Sequence, residues 1–302
     1  MNCKLPNTIK LCNKGVAVQG ATDAAKAAAD IVLTEPGLST IVEGIFIART
    51  IWVRIRNFLT YRIAATLQLL TFFFIAVFAF KPIDKMPENW ESMHENGNFP
   101  DSGEWPEFFH MPVLMLILIT LLNDGTLITI GYDNANPTLT PPKWNLRYLF
   151  SLAAVQAAVA MISSLILLDI LLNSWEENSF MKAIGVGGIS YGKVTTAIYL
   201  KVSISDFLTL FSARAGGDWF WCVTPANILL AGAMIALISS TLIAMLWPES
   251  APDGIQTTGM AVDSRTPALV MYIWIWSLFW WIIQDASKVT FCLRSFIFSI
   301  RL

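Results

Sequence analysis

Residues 149–172 read LFSLAAVQAAVAMISSLILLDILL, with a single charged side chain, Asp169, near the far end. A helix that crosses a bilayer needs about 20 mostly apolar residues. A soluble core helix of this length would keep a polar face, and none recurs here. Residues 226–247, ANILLAGAMIALISSTLIAMLW, repeat the pattern without any charge. Working outward, residues 58–80, 111–130, 194–213 and 268–287 also qualify, although Lys201 and Asp206 interrupt the stretch at 194–213. The sequence therefore predicts an all-α integral membrane protein with six transmembrane helices over 58–287, and the lipid bilayer is its first partner.

Composition agrees. Of 302 residues, 55% are hydrophobic and only 14% charged, against about 25% charged in soluble domains; the mean hydropathy is +0.57. A net charge of −2 with no long basic run excludes a nucleic-acid binder. The opening MNCKLPNTIKLCNKGVAV has neither a long apolar core nor a small-residue cleavage site, so it is not read as a signal peptide. Cys3, Cys12, Cys222 and Cys292 lack metal-ligand or CxxC spacing, and no metal site is expected.

Orientation follows from Lys and Arg in the connecting segments. Residues 1–57, the loops near 131–148 and 214–225 and the tail from Lys288 carry 13 of them. The opposite loops carry five, against 12 acids, and seven of those acids lie in the loop at 81–110. The basic side, with both termini and all four cysteines, is expected to be cytoplasmic, where thiols stay reduced.

Residues 15–57 differ in character. GVAV and IVLT are β-like runs around the alanine-rich ATDAAKAAAD, which Thr22 or Asp23 can cap. Pro36-Gly37 marks a break. The helical pattern that follows has no breaker before the first span, so the two should form one rod. About 40 residues of β–α–β character are too few for a core of their own.

That stub carries a resemblance. GVAVQGATDAAKAAADIVLTEPGLSTIVEGI (15–45) resembles the end of the phosphorylation domain of P-type ATPases of the plasma-membrane proton-pump subfamily. The likeness continues through IWVRIRNFLTYRIAATLQLL (51–70), LLNDGT (121–126) and YLKVSISDFLTLFSAR (199–214), in that order, and covers residues 15 to about 290. In style it is most similar to pumps of protozoa and algae. It implies that 15–44 is a remnant of the phosphorylation domain, 45–57 a stalk helix, 58–287 the last six of ten transmembrane helices and 288–302 a cytoplasmic tail. Residues 1–14 match nothing. The family's DKTGT, TGES and GDGxND motifs are absent, so this chain is expected to hold no catalytic residue and no cofactor. ATP and Mg²⁺ are expected for a full-length pump.

An ionisable side chain inside the membrane is costly and marks a candidate functional site. Asp124 lies mid-span in Leu121-Leu122-Asn123-Asp124-Gly125-Thr126. Gly125 lowers helix stability by about 1 kcal/mol and would permit local unwinding. The bland alternative is an Asn-Asp pair that only bonds neighbouring helices. The resemblance makes Asp124, with Asn123 beside it, the proton acceptor. Calcium takes about six to eight oxygen ligands, and one carboxylate in the first two spans suits a proton better. In the first span Tyr61, Ala64, Gln68 and Thr71 form a polar stripe; related pumps carry a basic residue where Gln68 stands. Gln68 is expected to face Asp124. Lys201 and Asp206, five apart, are not direct partners, and each should pair with another span or with water. Gln68, Asp206 and Lys201 are candidate pathway residues, with a structural network as the alternative for the last two. Asp169 and Asp285 are read as interfacial.

Three functions compete. The first is the carboxy-terminal membrane part of an ATP-driven proton exporter. The second is a non-catalytic truncated isoform that binds or perturbs intact pump copies. The third, an unrelated channel or carrier, gives no reason for a β–α–β stub.

Overall fold

The computed structural model describes residues 15–34, 39–87, 105–138, 144–176, 179–183, 185–248, 257–260 and 266–301. The chain divides into two compact units, residues 1–53 with 135–143, and residues 54–134 with 144–302.

In the first unit, β1 (Val16–Ala17) and β2 (Ile31–Val32) pair in parallel, with Val16 opposite Ile31 and Ala17 opposite Val32. The crossover between them is α1 (Asp23–Ala28), capped by Thr22, whose hydroxyl accepts from Ala25 N at 3.4 Å. Gly20 makes the turn into this helix at φ 87°, a backbone conformation that costs glycine little. The Asp30 carboxylate ties the strand ends by accepting from Gly15 N at 2.8 Å. Val16, Val18, Ile31 and Val32 remain exposed, because two short strands and one short helix cannot cover both sheet faces.

The helices that follow are α2 (Ser39–Ala79), α3 (Val113–Thr129), α4 (Leu146–Leu172), the short α5 (Phe180–Ala183), α6 (Tyr191–Arg214), α7 (Asn227–Met245) and α8 (Thr266–Arg301). Six of them contain apolar stretches of membrane length: Ser39–Ala79, Val113–Tyr132, Leu146–Trp175, Tyr191–Arg214, Asn227–Met245 and Ala268–Arg294. The helical pattern before the first span and the span itself form one unbroken helix of 41 residues, α2, as the lack of a breaker implied.

The fourth span, α6, lies at the centre of the second unit. It packs against α3, α4, α7 and α8 and is buried along almost its whole length. This position explains its low hydropathy: a helix enclosed by protein can carry polar side chains that bond to neighbouring helices. The outer helices leave Leu70, Phe74, Phe78, Ile128, Ile235 and Met271 exposed on the surface of the bundle. Inside the bundle, Phe72, Phe109, Met115, Leu168, Tyr199 and Ile273 share one apolar core.

The structure adds detail to the sequence reading at two helix features. α3 runs through Gly125 without unwinding; an isolated glycine only weakens a helix that packing holds. The last helix continues past 287 to Arg301, because no proline or glycine interrupts residues 288–301. Residues 1–14, Pro36-Gly37 and five acids of the 81–110 loop (Glu88, Glu91, Glu95, Asp101, Glu104) lie outside the described residues.

Candidate functional site

Asn123 and Asp124 follow one another on α3, so their side chains diverge by about 100°. Asn123 turns into the bundle and is buried, whereas the Asp124 side chain is 55% exposed. Asp124 accepts a charge-assisted hydrogen bond from Nη1 of Arg62, on the first span. The Arg62 side chain is itself 44% exposed. This cation was missed in the sequence reading, which followed the polar stripe of the first span and passed over an arginine lying within it. The signal was available, since any charge inside an apolar run is a candidate by cost alone.

Gln68 does not face Asp124. Its Nε2 donates to Ser205 Oγ at 3.4 Å on the fourth span, and the side chain is buried. Asn123 Nδ2 donates to Asp206 Oδ2 at 2.7 Å. Lys201 and Asp206 each find partners on other spans: the Lys201 ammonium donates to Ala160 O at 2.9 Å and to Ser164 Oγ on the third span. The candidates thus fall on two sides of the second span. Asp124 meets Arg62 on one side; Asn123 and Asp206 meet on the other.

A hydrogen-bonded chain continues along the fourth span. Gln284 Nε2 donates to Thr209 Oγ1 at 2.9 Å and to Gln156 O at 3.2 Å. Gln156 Nε2 donates to Ser212 Oγ at 3.2 Å, and Ser212 Oγ to Asp285 Oδ1 at 2.7 Å. Asp285, expected at the membrane interface, is instead fully buried and paired with Lys288 at 2.7 Å. Lys288 also donates to Ser212 O and Asp218 O, at 2.9 and 2.7 Å. The i,i+3 spacing of Asp285 and Lys288 puts both on one helix face, and the end of α6 covers that face. Asp169 remains near the surface, accepting from Asn173 Nδ2 at 3.2 Å.

Where the fourth span ends, Arg214 forms a fork-like pair with Asp133, Nε to Oδ2 at 2.7 Å and Nη2 to Oδ1 at 3.0 Å. Nη1 and Nη2 also donate to the carbonyls of Val223 and Thr224. Asn57 Nδ2 donates to Arg214 O, and Arg54 Nε to Asp133 O, each at 2.8 Å. The base of the first span is thereby fixed to the ends of the second and fourth. Among the described residues, no group of three or more His, Cys, Asp or Glu side chains could hold a metal ion.

No family model matches the sequence. Over 287 residues the chain is 48% identical to the Leishmania donovani protein named "Probable proton ATPase 1B", and 47% identical to "Probable proton ATPase 1A" of the same organism. Each match covers 93% of this chain and 28% of the relative. A Dictyostelium discoideum protein named "Probable plasma membrane ATPase" is 30% identical over 297 residues, covering 95% of this chain and 25% of that protein. The chain spans about a quarter of the length of these relatives.

Proposed function

We propose, from the premise that this chain is homologous to a portion of the P-type proton ATPases, that it forms the last six of ten membrane helices of an ATP-driven proton exporter. The observation that carries the reading is the ion pair between Arg62 and Asp124, which joins consecutive spans inside the apolar region. Such a pair exists only while Asp124 is ionised. When the first span moves against the second and Arg62 withdraws, the carboxyl takes up a proton. When Arg62 returns, the proton leaves. Arg62 thus supplies the cation that Gln68 does not.

The half-exposure of both side chains supports the same reading. Charged groups inside a bilayer face protein or water rather than lipid, so further helices of a pump would cover this side of the bundle. The 302 residues contain neither the phosphorylated aspartate nor the nucleotide motifs of the family, and ATP and Mg²⁺ would act elsewhere in the pump. We place both termini on the cytoplasmic side of the plasma membrane, an orientation supported by the Lys/Arg asymmetry of the loops. In a second reading, also supported by the open Arg62–Asp124 face, that face is covered by another pump copy, and the chain acts as a non-catalytic partner.

The test grafts residues 45–302 into a complete relative. Asp124→Asn keeps the shape but cannot exchange a proton. Proton transport into sealed vesicles should be abolished while assembly persists. Robust pumping by this variant would remove Asp124 from the role.

A further inference from the structure

We infer that Asn123 and Asp206 form a second proton site, an amide–carboxylic acid pair that closes only when Asp206 carries a proton. One half of the pair is present, Asn123 Nδ2 donating to Asp206 Oδ2 at 2.7 Å. The other half consists of two buried acceptors, Asn123 Oδ1 and Asp206 Oδ1, and neither has a hydrogen-bond donor among the described residues. Buried acceptors without donors are rare and costly. An ionised carboxylate has only acceptors to offer, whereas a carboxylic acid has one donor. A single hydrogen on Asp206 Oδ1, shared with Asn123 Oδ1, satisfies both atoms and closes a two-bond ring.

The neighbouring charges point the same way. Lys201 on the fourth span and Arg62 on the first both act electrostatically on Asp206, but neither bonds it. The Lys201 ammonium is held by Ala160 O and Ser164 Oγ, and Arg62 by Asp124. The buried Tyr61 hydroxyl, within electrostatic reach of Asp206, Arg62 and Asp124, has no hydrogen-bond partner among the described residues. A buried carboxylate with no bonded cation is poorly stabilised, and a neutral acid in the amide pair is not. In this arrangement the proton resides on Asp206 while Asp124 is ionised. One carboxyl is on the second span and the other on the fourth, in opposite protonation states.

This inference goes beyond the Asp124 reading and does not require Asp124 to carry the transported ion. The test is infrared spectroscopy of the full chain in lipid nanodiscs, in H₂O and D₂O. The wild type should show a carboxylic C=O band that moves in D₂O. Asp206→Asn should lose this band and Asp124→Asn should retain it. Asn123→Leu keeps the carboxyl but removes its donor, and should shift the band to higher frequency. A wild-type spectrum without the band, or one that Asp206→Asn leaves unchanged, would overturn the assignment, as would an unshifted band in Asn123→Leu. A water bridging the two oxygens above an ionised Asp206 gives the first of these results. Because protonation is read directly, a failure here is distinct from a failure of the transport assignment.

Discussion

Replacing Asp133 by alanine should destabilise the helix bundle by about 3–5 kcal/mol, the usual cost of breaking a buried ion pair by removing one partner. The Arg214 and Asp133 side chains are only 1% and 4% exposed, so water cannot readily replace what is lost. The change removes two charge-assisted bonds from Arg214 and the bond at 3.1 Å from Ala226 N. At about 1.5–3 kcal/mol for each bond to a charged group, a simple sum would reach or exceed the top of that range. Arg214 retains the carbonyls of Val223 and Thr224, which places the loss at the lower value. Asp133→Asn keeps one acceptor oxygen and should cost roughly half as much. Reversible unfolding of the purified chain by titration with a denaturing detergent measures these differences. In a double-mutant cycle with Arg214→Met, the two changes should fall short of additivity by about 0.5–3 kcal/mol, as contacting residues do. An Asp133→Ala variant within about 0.5 kcal/mol of wild type, the range typical of surface substitutions, would refute the claim that this pair fixes the ends of three spans.

The remaining predictions concern packing and orientation. Ser164→Ala removes a partner of the buried Lys201 ammonium and should cost about 1–3 kcal/mol, whereas Lys201→Met removes the charge while filling the space and should be milder; the same unfolding assay compares them. At Gly232 an added Cβ would lie 2.9 Å from Thr129 Cγ2 on the second span, so Gly232→Ala should destabilise by about 1–3 kcal/mol through overpacking. Pairing it with Thr129→Ser, which deletes that methyl, should restore stability; an equally unstable double variant would show that the close approach is not the cause. In a cysteine-free background, a cysteine introduced at Ser92 should react with an impermeant reagent in intact cells. Reaction only after permeabilisation would reverse the proposed orientation.

The candidate site was only partly legible in the sequence. Asp124 and Asn123 stood out because charge and amide inside an apolar run are costly, and that cost is a property of composition alone. Their division of labour was not legible. It depends on which side of α3 each faces, and consecutive residues on a helix diverge too far to share one neighbour. Gln68 was assigned to Asp124 from similar depth in consecutive spans, but depth does not fix the rotation of one helix against another. That rotation brings Arg62 to Asp124 and turns Gln68 toward Ser205.

By itself the sequence determined the six spans, the β–α–β character of the stub and the unbroken helix that leads into the first span. These are local: runs of apolar residues, a capping side chain and the lack of breakers act within a few turns of chain. Only the tertiary structure decided that the span with the most internal charge is the central one. A polar residue in a span reads as a flaw in hydropathy, and becomes favourable only when neighbouring helices present donors and acceptors at the right height. The burial of Asp285 with Lys288, the Asp133–Arg214 clamp and the Asn123–Asp206 pair all follow from that enclosure, through contacts between residues 3 to 83 positions apart.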